Sequence, residues 1–371
     1  MQMMMTGIAN NWLEIDGDAL RHNITYLMRQ GSNKSKKAIL MLKANAYGHG
    51  LLEVASIVAH SDVSMFALAS IEDAAKLRKA GVTEPILVVG SLSERTAHLY
   101  EALSLTASVD SFAALEYTTK SKADLRFHIK IDTGLHRYGF SIADIPLLIH
   151  RLKEHHLRPS GIYTHFSDAN TNLARTKKEL AAFRKTVETF QAEGFTFDYI
   201  HASNSAGTLW LDESFTNAVR LGLAAYGLQP DTHTPASIHP CLSWKTRIDA
   251  VRFVEMGETA GYGQAWRASR KTRLGILTVG YSDGLRARPK HPENVLCNGQ
   301  TIPIIGNVMM NNTMIDITDC PEVKLGDIVT IIGKDREAII TLEDIASQVG
   351  TINEEIASQI QASVERRVIN L

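Results

Sequence analysis

The hydrophobic residues of this chain come in short continuous bursts, and between the bursts apolar positions recur every three or four residues. Bursts bounded by turn formers read as strands buried on both faces, and the longer period is that of amphipathic helices. On this reading residues 12–16 form a strand, and Asp16 with Asp18 caps a helix carrying Leu20, Ile24 and Leu27. From residue 38 the two textures alternate. Strands are expected at 38–42, 65–69, 85–89, 105–109, 125–131, 161–163, 197–201 and 218–223, with helices at 51–58, 71–79, 94–102, 112–120, 142–155, 176–193 and from Ser205. Repeated strand–helix units predict a parallel sheet covered on both faces. Eight of them fit a (β/α)8 barrel better than a doubly wound sheet, because no G-x-G-x-x-G turn follows the first strand.

After Pro230 the pattern changes. DTHTPASIHP reads as a linker, and beyond it short strands are expected at 248–254, 273–279, 295–297, 302–305, 314–317 and 328–332. The Asn298-Gly299 pair is a hairpin signal. Helices at 342–349 and from Asn353 follow. The fold class is therefore α/β, with a barrel domain over 1–232 and a β-rich domain over 233–371.

Composition narrows the function. At 371 residues two domains are the default, and 44% hydrophobic with 21% charged residues is ordinary for a globular protein. A net charge of −1 offers no basic surface for nucleic acid or a membrane. Cys241, Cys297 and Cys320 are odd in number and form no C-x-x-C pair, so neither a disulfide framework nor a zinc site is expected. The start, MQMMMTGIANNW, lacks the basic and continuous apolar regions of a signal peptide, and no apolar run is of membrane-spanning length, so a cytoplasmic protein is expected.

Candidate chemistry gathers at strand ends, where barrels place it: Lys43, Lys130, His165, Asn204 and Arg220 all fall there. Lys43 ends the first barrel strand in AILMLKANAYGHG. A partly desolvated lysine there could join a carbonyl cofactor as a Schiff base, and a lysine snorkelling from a strand end is the plainer alternative. Asn204-Ser205-Ala206-Gly207 and Gly222-Leu223 suit a phosphate, against the alternative of an ordinary Asn or Ser cap. In FHIKIDTGLHRYGF, buried Lys130 needs a partner or a modification, and Arg137 suits a substrate carboxylate; a Lys130–Asp132 pair is an open alternative.

Several segments in order resemble the alanine racemase family: WLEIDGDALRHN, LKANAYGHG, KIDTGLHRYGF, YTHFSDA, HASNSAG and VRLGLAAYGL, then GYGQAW and GYSDG in the second domain. The resemblance implies a pyridoxal phosphate (PLP) enzyme that interconverts L- and D-alanine for peptidoglycan, working as a homodimer with shared active sites. It implies that Lys43 holds PLP and acts on one face of the substrate Cα–H, with Tyr262 of the partner subunit on the other. Arg220 is implied at the pyridine nitrogen, where an arginine keeps the ring unprotonated. His165 would tune Tyr262. Tyr47, Ser205, Gly222 and Leu223 would hold the phosphate, with Asn204 beside the cofactor. Arg137 and Met310 would bind substrate, Tyr281 would lie on the loop bordering substrate access, and Lys130 is the lysine that the family carbamylates.

Three positions depart from the family pattern. An arginine and an aspartate of its second-domain motif are Asn307 and Asn311, and its phosphate-reaching tyrosine is Glu354. A carboxylate beside a phosphate is unfavourable, so Glu354 is expected to turn away or be protonated, leaving room for serine or another small polar amino acid. Two other functions are weighed: a non-catalytic PLP-carrying homeostasis protein, which the second domain with Tyr262 disfavours, and a PLP decarboxylase, which the motifs running through both domains disfavour.

Overall fold

A computed structural model describes residues 9–59, 61–120, 125–230, 237–288 and 290–371. The expected domain boundary at 232/233 and most of the linker lie outside the described residues, as does most of the N-terminal segment. The chain divides into two compact units, one of Leu20–Ala46 with Val54–Ile238, the other of the chain up to Ala19 with Tyr47–Glu53 and His239–Leu371.

In the first unit eight parallel strands close into a barrel. They are β1 (Lys37–Met41), β2 (Val63–Leu68), β3 (Ile86–Ser91), β4 (Thr106–Val109), β5 (Phe127–Lys130), β6 (Gly161–Tyr163), β7 (Tyr199–His201) and β8 (Ala218–Leu221). Closure comes from β1 pairing with β8, Ala38 opposite Val219 and Ile39 opposite Arg220. The helices between strands start where the sequence supplies caps. Ser70 Oγ accepts the Asp73 N–H at 3.2 Å and opens Ile71–Lys79, whose Ala74 and Leu77 are buried.

Of the boundaries that differ from the hydrophobic pattern, three have a clear local reason. The long helix starts at Leu173, earlier than expected, because Asn172 Oδ1 caps it by accepting the Arg175 N–H. The helix expected over 142–155 opens with a 3-10 turn, Ile142–Asp144, held by a Ser141/Asp144 capping box, and the α-helix Ile145–Glu154 follows with Pro146 in its first turn. β8 stops at Leu221, before Gly222 and Leu223, and a 3-10 turn over Leu223–Tyr226 succeeds it.

The second unit is built on a nine-stranded sheet. Asn298 (φ +54°) and Gly299 (φ +80°) form the turn joining antiparallel strands Asn294–Cys297 and Gln300–Ile305. The strand expected to begin at 248 begins at Leu242; its first half pairs with Asn11–Asp16 and its second with Thr272–Leu277. Asn11–Asp16 also pairs in parallel with Glu365–Ile369, a strand the hydrophobic pattern does not announce. Among the described residues no helix is long and apolar enough to cross a membrane.

Candidate active site

Two residues past β1, at Lys43, the backbone turns left-handed. Ala44, Asn45, Ala46 and Tyr47 all have φ near +53°, and the Ala46 N–H donates to Leu42 O at 2.9 Å. For residues with a Cβ this conformation costs about 1–2 kcal/mol each, so the turn is maintained by its surroundings and not by local preference. It begins at the residue that follows Lys43. In the single chain Lys43 is exposed. The desolvation expected from its strand-end position is therefore not provided by this chain's own packing.

The strands' alternation puts a second set of polar groups inside the barrel. His128 and Lys130 of β5, Gly161 and Tyr163 of β6 and His201 of β7 are two residues apart or in register across the strands, and Arg220 of β8 lies two residues past Ala218, the partner of His201. Arg220, 4% exposed, sits at the centre. Its Nη1 meets His201 Nδ1 at 2.9 Å, and its Nη2 donates to Thr164 O at 2.8 Å and Ala202 O at 2.7 Å and meets His165 Nδ1 at 3.2 Å. His201 stacks on Tyr163, with ring centroids 4.8 Å apart, and Tyr163 Oη bonds to Ser108 Oγ at 2.7 Å.

This surrounding is strongly cationic. The pKa of His165 falls well below the ordinary imidazole value, first through burial and then through Arg220, Arg137, Lys130 and Lys43. Four cations thus act on one imidazole, which stays neutral. Lys130, 4% exposed, has its ammonium over the rings of Tyr138 and Tyr163 and its pKa pushed down to about 8 by burial, then by Arg137 and Arg220. The open Lys130–Asp132 alternative is corrected here: no ion pair forms between them. Asp132 Oδ1 instead accepts the N–H groups of Gly134, Leu135 and His136, shaping the loop that carries exposed Arg137.

At the ends of β7 and β8 the Asn cap weighed as the plain alternative is present. Asn204 Oδ1 accepts the Gly207 N–H at 3.0 Å. Ser205 does something else: its Oγ accepts from the N–H groups of Gly222 (3.3 Å) and Ala224 (3.1 Å). Those bonds turn the chain out of β8 and explain its early end. A hydroxyl and backbone donors converging there, within a unit that gathers Lys43, Lys130, Arg137 and Arg220, suit a small ligand with more than one negative charge.

The remaining expected residues belong to the other unit. Tyr47 lies there, its carbonyl 2.9 Å from His49 Nδ1. Tyr262, Tyr281 and Met310 are all tied to the loop spanning 306–312. Asn307 Nδ2 donates to Tyr262 O at 3.4 Å, and the Tyr281 and Ser282 N–H groups donate to Met309 O and Met310 O, both at 3.0 Å. Gly280 is required for that approach, since a Cβ there would lie 2.2–2.3 Å from the same two carbonyls. Tyr262, Met310 and Tyr281 are 77%, 56% and 48% exposed. Asn311 donates to Ser282 Oγ at 2.8 Å, and half-buried Glu354 lies in the first turn of the helix Asn353–Gln359.

Sequence reasoning missed His128, His201 and Tyr163, which read as ordinary strand residues. Their signal was available as polar residues at inward positions beside a glycine, Gly161, that leaves room for one of them.

Residues 15–230 match the family profile described as alanine racemase, N-terminal domain, and residues 241–368 the one described as alanine racemase, C-terminal domain. An alanine racemase of Carboxydothermus hydrogenoformans is 33% identical over 363 residues, covering 96% of this chain and 98% of the relative. One from Methanococcus maripaludis is 33% identical over 365 residues, covering 96% and 97%. The solved alanine racemase of Bacillus anthracis with bound L-Ala-P superposes with a TM-score of 0.88 at 29% identity, covering 97% of this chain and 95% of that one.

Proposed function

The chain belongs to the alanine racemase family of isomerases, and from that premise we propose that it interconverts L- and D-alanine with PLP by a two-base mechanism. The observation that carries the proposal is buried Arg220, which meets His165 Nδ1 at 3.2 Å and shares the Tyr163 ring with the buried ammonium of Lys130, in a barrel unit that also carries Lys43 and Arg137. That donor set fits PLP, which brings a phosphate, and a substrate that brings a carboxylate.

Lys43 would hold the cofactor through its amine. Ser205, Gly222, Leu223 and Tyr47 would hold the phosphate, Asn204 would lie beside the cofactor, and Arg220 would face the ring nitrogen. PLP, when bound, supplies an electron sink that makes the substrate Cα–H removable. Arg137 would fix the substrate carboxylate, with Met310 against the substrate and Tyr281 bordering its access. Lys43 Nζ then moves a proton on one face of Cα, and Tyr262 Oη of the partner subunit moves one on the other, so the centre inverts without the substrate turning over. A turnover that begins with proton removal by Lys43 leaves Nζ one proton richer and Oη one proton poorer, and a turnover in the other direction does the reverse. The two bases must therefore re-equilibrate with solvent before the next turnover in the same direction.

His165 accepts from Arg220 at Nδ1, so as a neutral ring its proton is on Nε2, available to a phenolate oxygen of Tyr262. Arg220 never releases its proton to the ring nitrogen, which moderates the sink and limits side reactions. Carbamylation of Lys130 is consistent with a pKa near 8, because only the neutral amine adds carbon dioxide, and the resulting anion would lie between Arg137 and Arg220. We place the enzyme in the cytoplasm, supplying D-alanine for peptidoglycan.

The test is reduction by borohydride. The protein with PLP should lose its visible absorbance, and peptide mapping should find the cofactor on Lys43. The same preparation should exchange the Cα hydrogen of alanine with solvent. Reduction onto another lysine, or no exchange with any small amino acid, would overturn the proposal.

A further inference from the structure

Arg220 is the start of a chain of imidazoles that ends at a group with no role in the proposed reaction. Arg220 Nη1 lies 2.9 Å from His201 Nδ1, and His201 Nε2 lies 3.0 Å from His128 Nδ1. Both rings are fully buried. Burial and Arg220 push the pKa of His128 down to about 3 and that of His201 well below its ordinary value, so both are neutral.

In such a chain the protons have one consistent order. A guanidinium nitrogen only donates, so His201 Nδ1 must accept and its single proton must sit on Nε2. His201 Nε2 therefore donates, His128 Nδ1 accepts, and the proton of His128 is on its own Nε2. That Nε2 is buried and has no hydrogen-bond partner. An unsatisfied donor at the far end is what a chain oriented from Arg220 outwards leaves behind. The space for it is specified too: a Cβ on Gly161 would lie 2.6 Å from His128 Nε2 and Cδ2. The His128 ring also lies 5.4 Å, centroid to centroid, from Tyr199, which pairs with Gly161 across the strands.

The geometry points to His128 as a positioning residue: by accepting the Nε2 proton of His201 it fixes His201 in the tautomer whose Nδ1 receives Arg220, and so holds the guanidinium in place. The proton order follows from the barrel alone. Its consequence for PLP rests on the reading of Arg220 given above, and the test keeps the two apart.

Neutron diffraction from deuterated crystals of the holoenzyme reads the order directly. The expected map has a deuteron on Nε2 of His201 and of His128 and none on either Nδ1; a deuteron on Nδ1 of His201, or on both of its nitrogens, overturns the proposal. This readout stands even where the activity proves to be another. The second measurement is PLP affinity by absorbance titration of His128→Leu, which removes the acceptor, and His128→Asn, whose Oδ1 can take the place of Nδ1. His128→Leu should bind PLP about tenfold more weakly, the effect of stranding one buried donor, while His128→Asn stays within about threefold of the parent. Equal loss in both variants would mean that the ring only fills space, and no loss in either would mean that His201 needs no such partner; each outcome overturns the proposal.

Discussion

Lys130 illustrates how much a single buried charge can bias this barrel. Its pKa falls from 10.5 to about 8 because it is buried among Arg137 and Arg220, with Asp110 and Asp132 offsetting only part of the effect. The unfolded chain therefore binds more protons at this position than the folded one between pH 8 and 10.5, and stability rises with pH across that window. Below pH 8 the full penalty applies, up to about 3 kcal/mol for a shift of this size. Lys130→Met should accordingly be more stable than the parent at pH 7 in buffer free of carbon dioxide, with the difference shrinking towards pH 10.5. Bicarbonate should raise the melting temperature of the parent and not of Lys130→Met, since only a lysine can form the carbamate that meets Arg137 and Arg220. Equal responses of the two proteins to bicarbonate would remove carbamylation from the proposal. The sequence made Lys130 conspicuous as a charge between Ile129 and Ile131. It could not show which neighbour answers that charge, because Asp132 is adjacent in the chain yet its carboxylate is engaged by three N–H groups of the following loop.

The elements most legible in the sequence were those with local causes. Gly161–Tyr163, Phe112–Lys120 and Ile71–Lys79 fall where the apolar period and the caps put them. The strand Glu365–Ile369 was hidden because Glu-Arg-Arg carries no apolar alternation, and it is organised by pairing with Asn11–Asp16 at the opposite end of the chain. The left-handed turn after Lys43 was hidden for another reason: Ala, Asn, Ala and Tyr say nothing about the sign of φ, and helix propensity is defined for the right-handed form. That turn supports a prediction of opposite effects. Ala44 is exposed at φ +53°, so glycine there would relieve about 1 kcal/mol of backbone strain and should raise the melting temperature. The same freedom lets Lys43 sample other directions, and kcat for alanine racemisation should fall by about tenfold as its alignment is lost. If Ala44→Gly gains stability and keeps kcat, the turn is not what aims the lysine.

For the molecule as a whole, what each compact unit lacks is as informative as what it contains. The barrel unit carries Lys43, Arg137 and Arg220, and the strand-rich unit carries Tyr262, Tyr281 and Met310, all three of them exposed. Two aromatic rings and a methionine exposed on one loop system are the composition of a surface that meets another protein. In the proposed homodimer each site takes Lys43 from one subunit and Tyr262 from the other. Lys43→Ala and Tyr262→Phe homodimers should both be inactive, the first lacking one base in both sites and the second lacking the other. Mixed by subunit exchange they form heterodimers in which one site has lost both bases and the other has regained both. Random reassortment makes half of the dimers mixed, so activity should recover to about a quarter of the parent level. Sites built within one subunit would recover nothing, whatever the extent of exchange. Exchange itself can be followed with differently tagged chains, so a null result with proven heterodimers would reject the shared site and leave the roles of Lys43 and Tyr262 to be tested separately. Dilution gives an independent check: activity per chain should fall as dimers dissociate, and alanine together with PLP should oppose the fall by binding the assembled form more tightly than the separate chains.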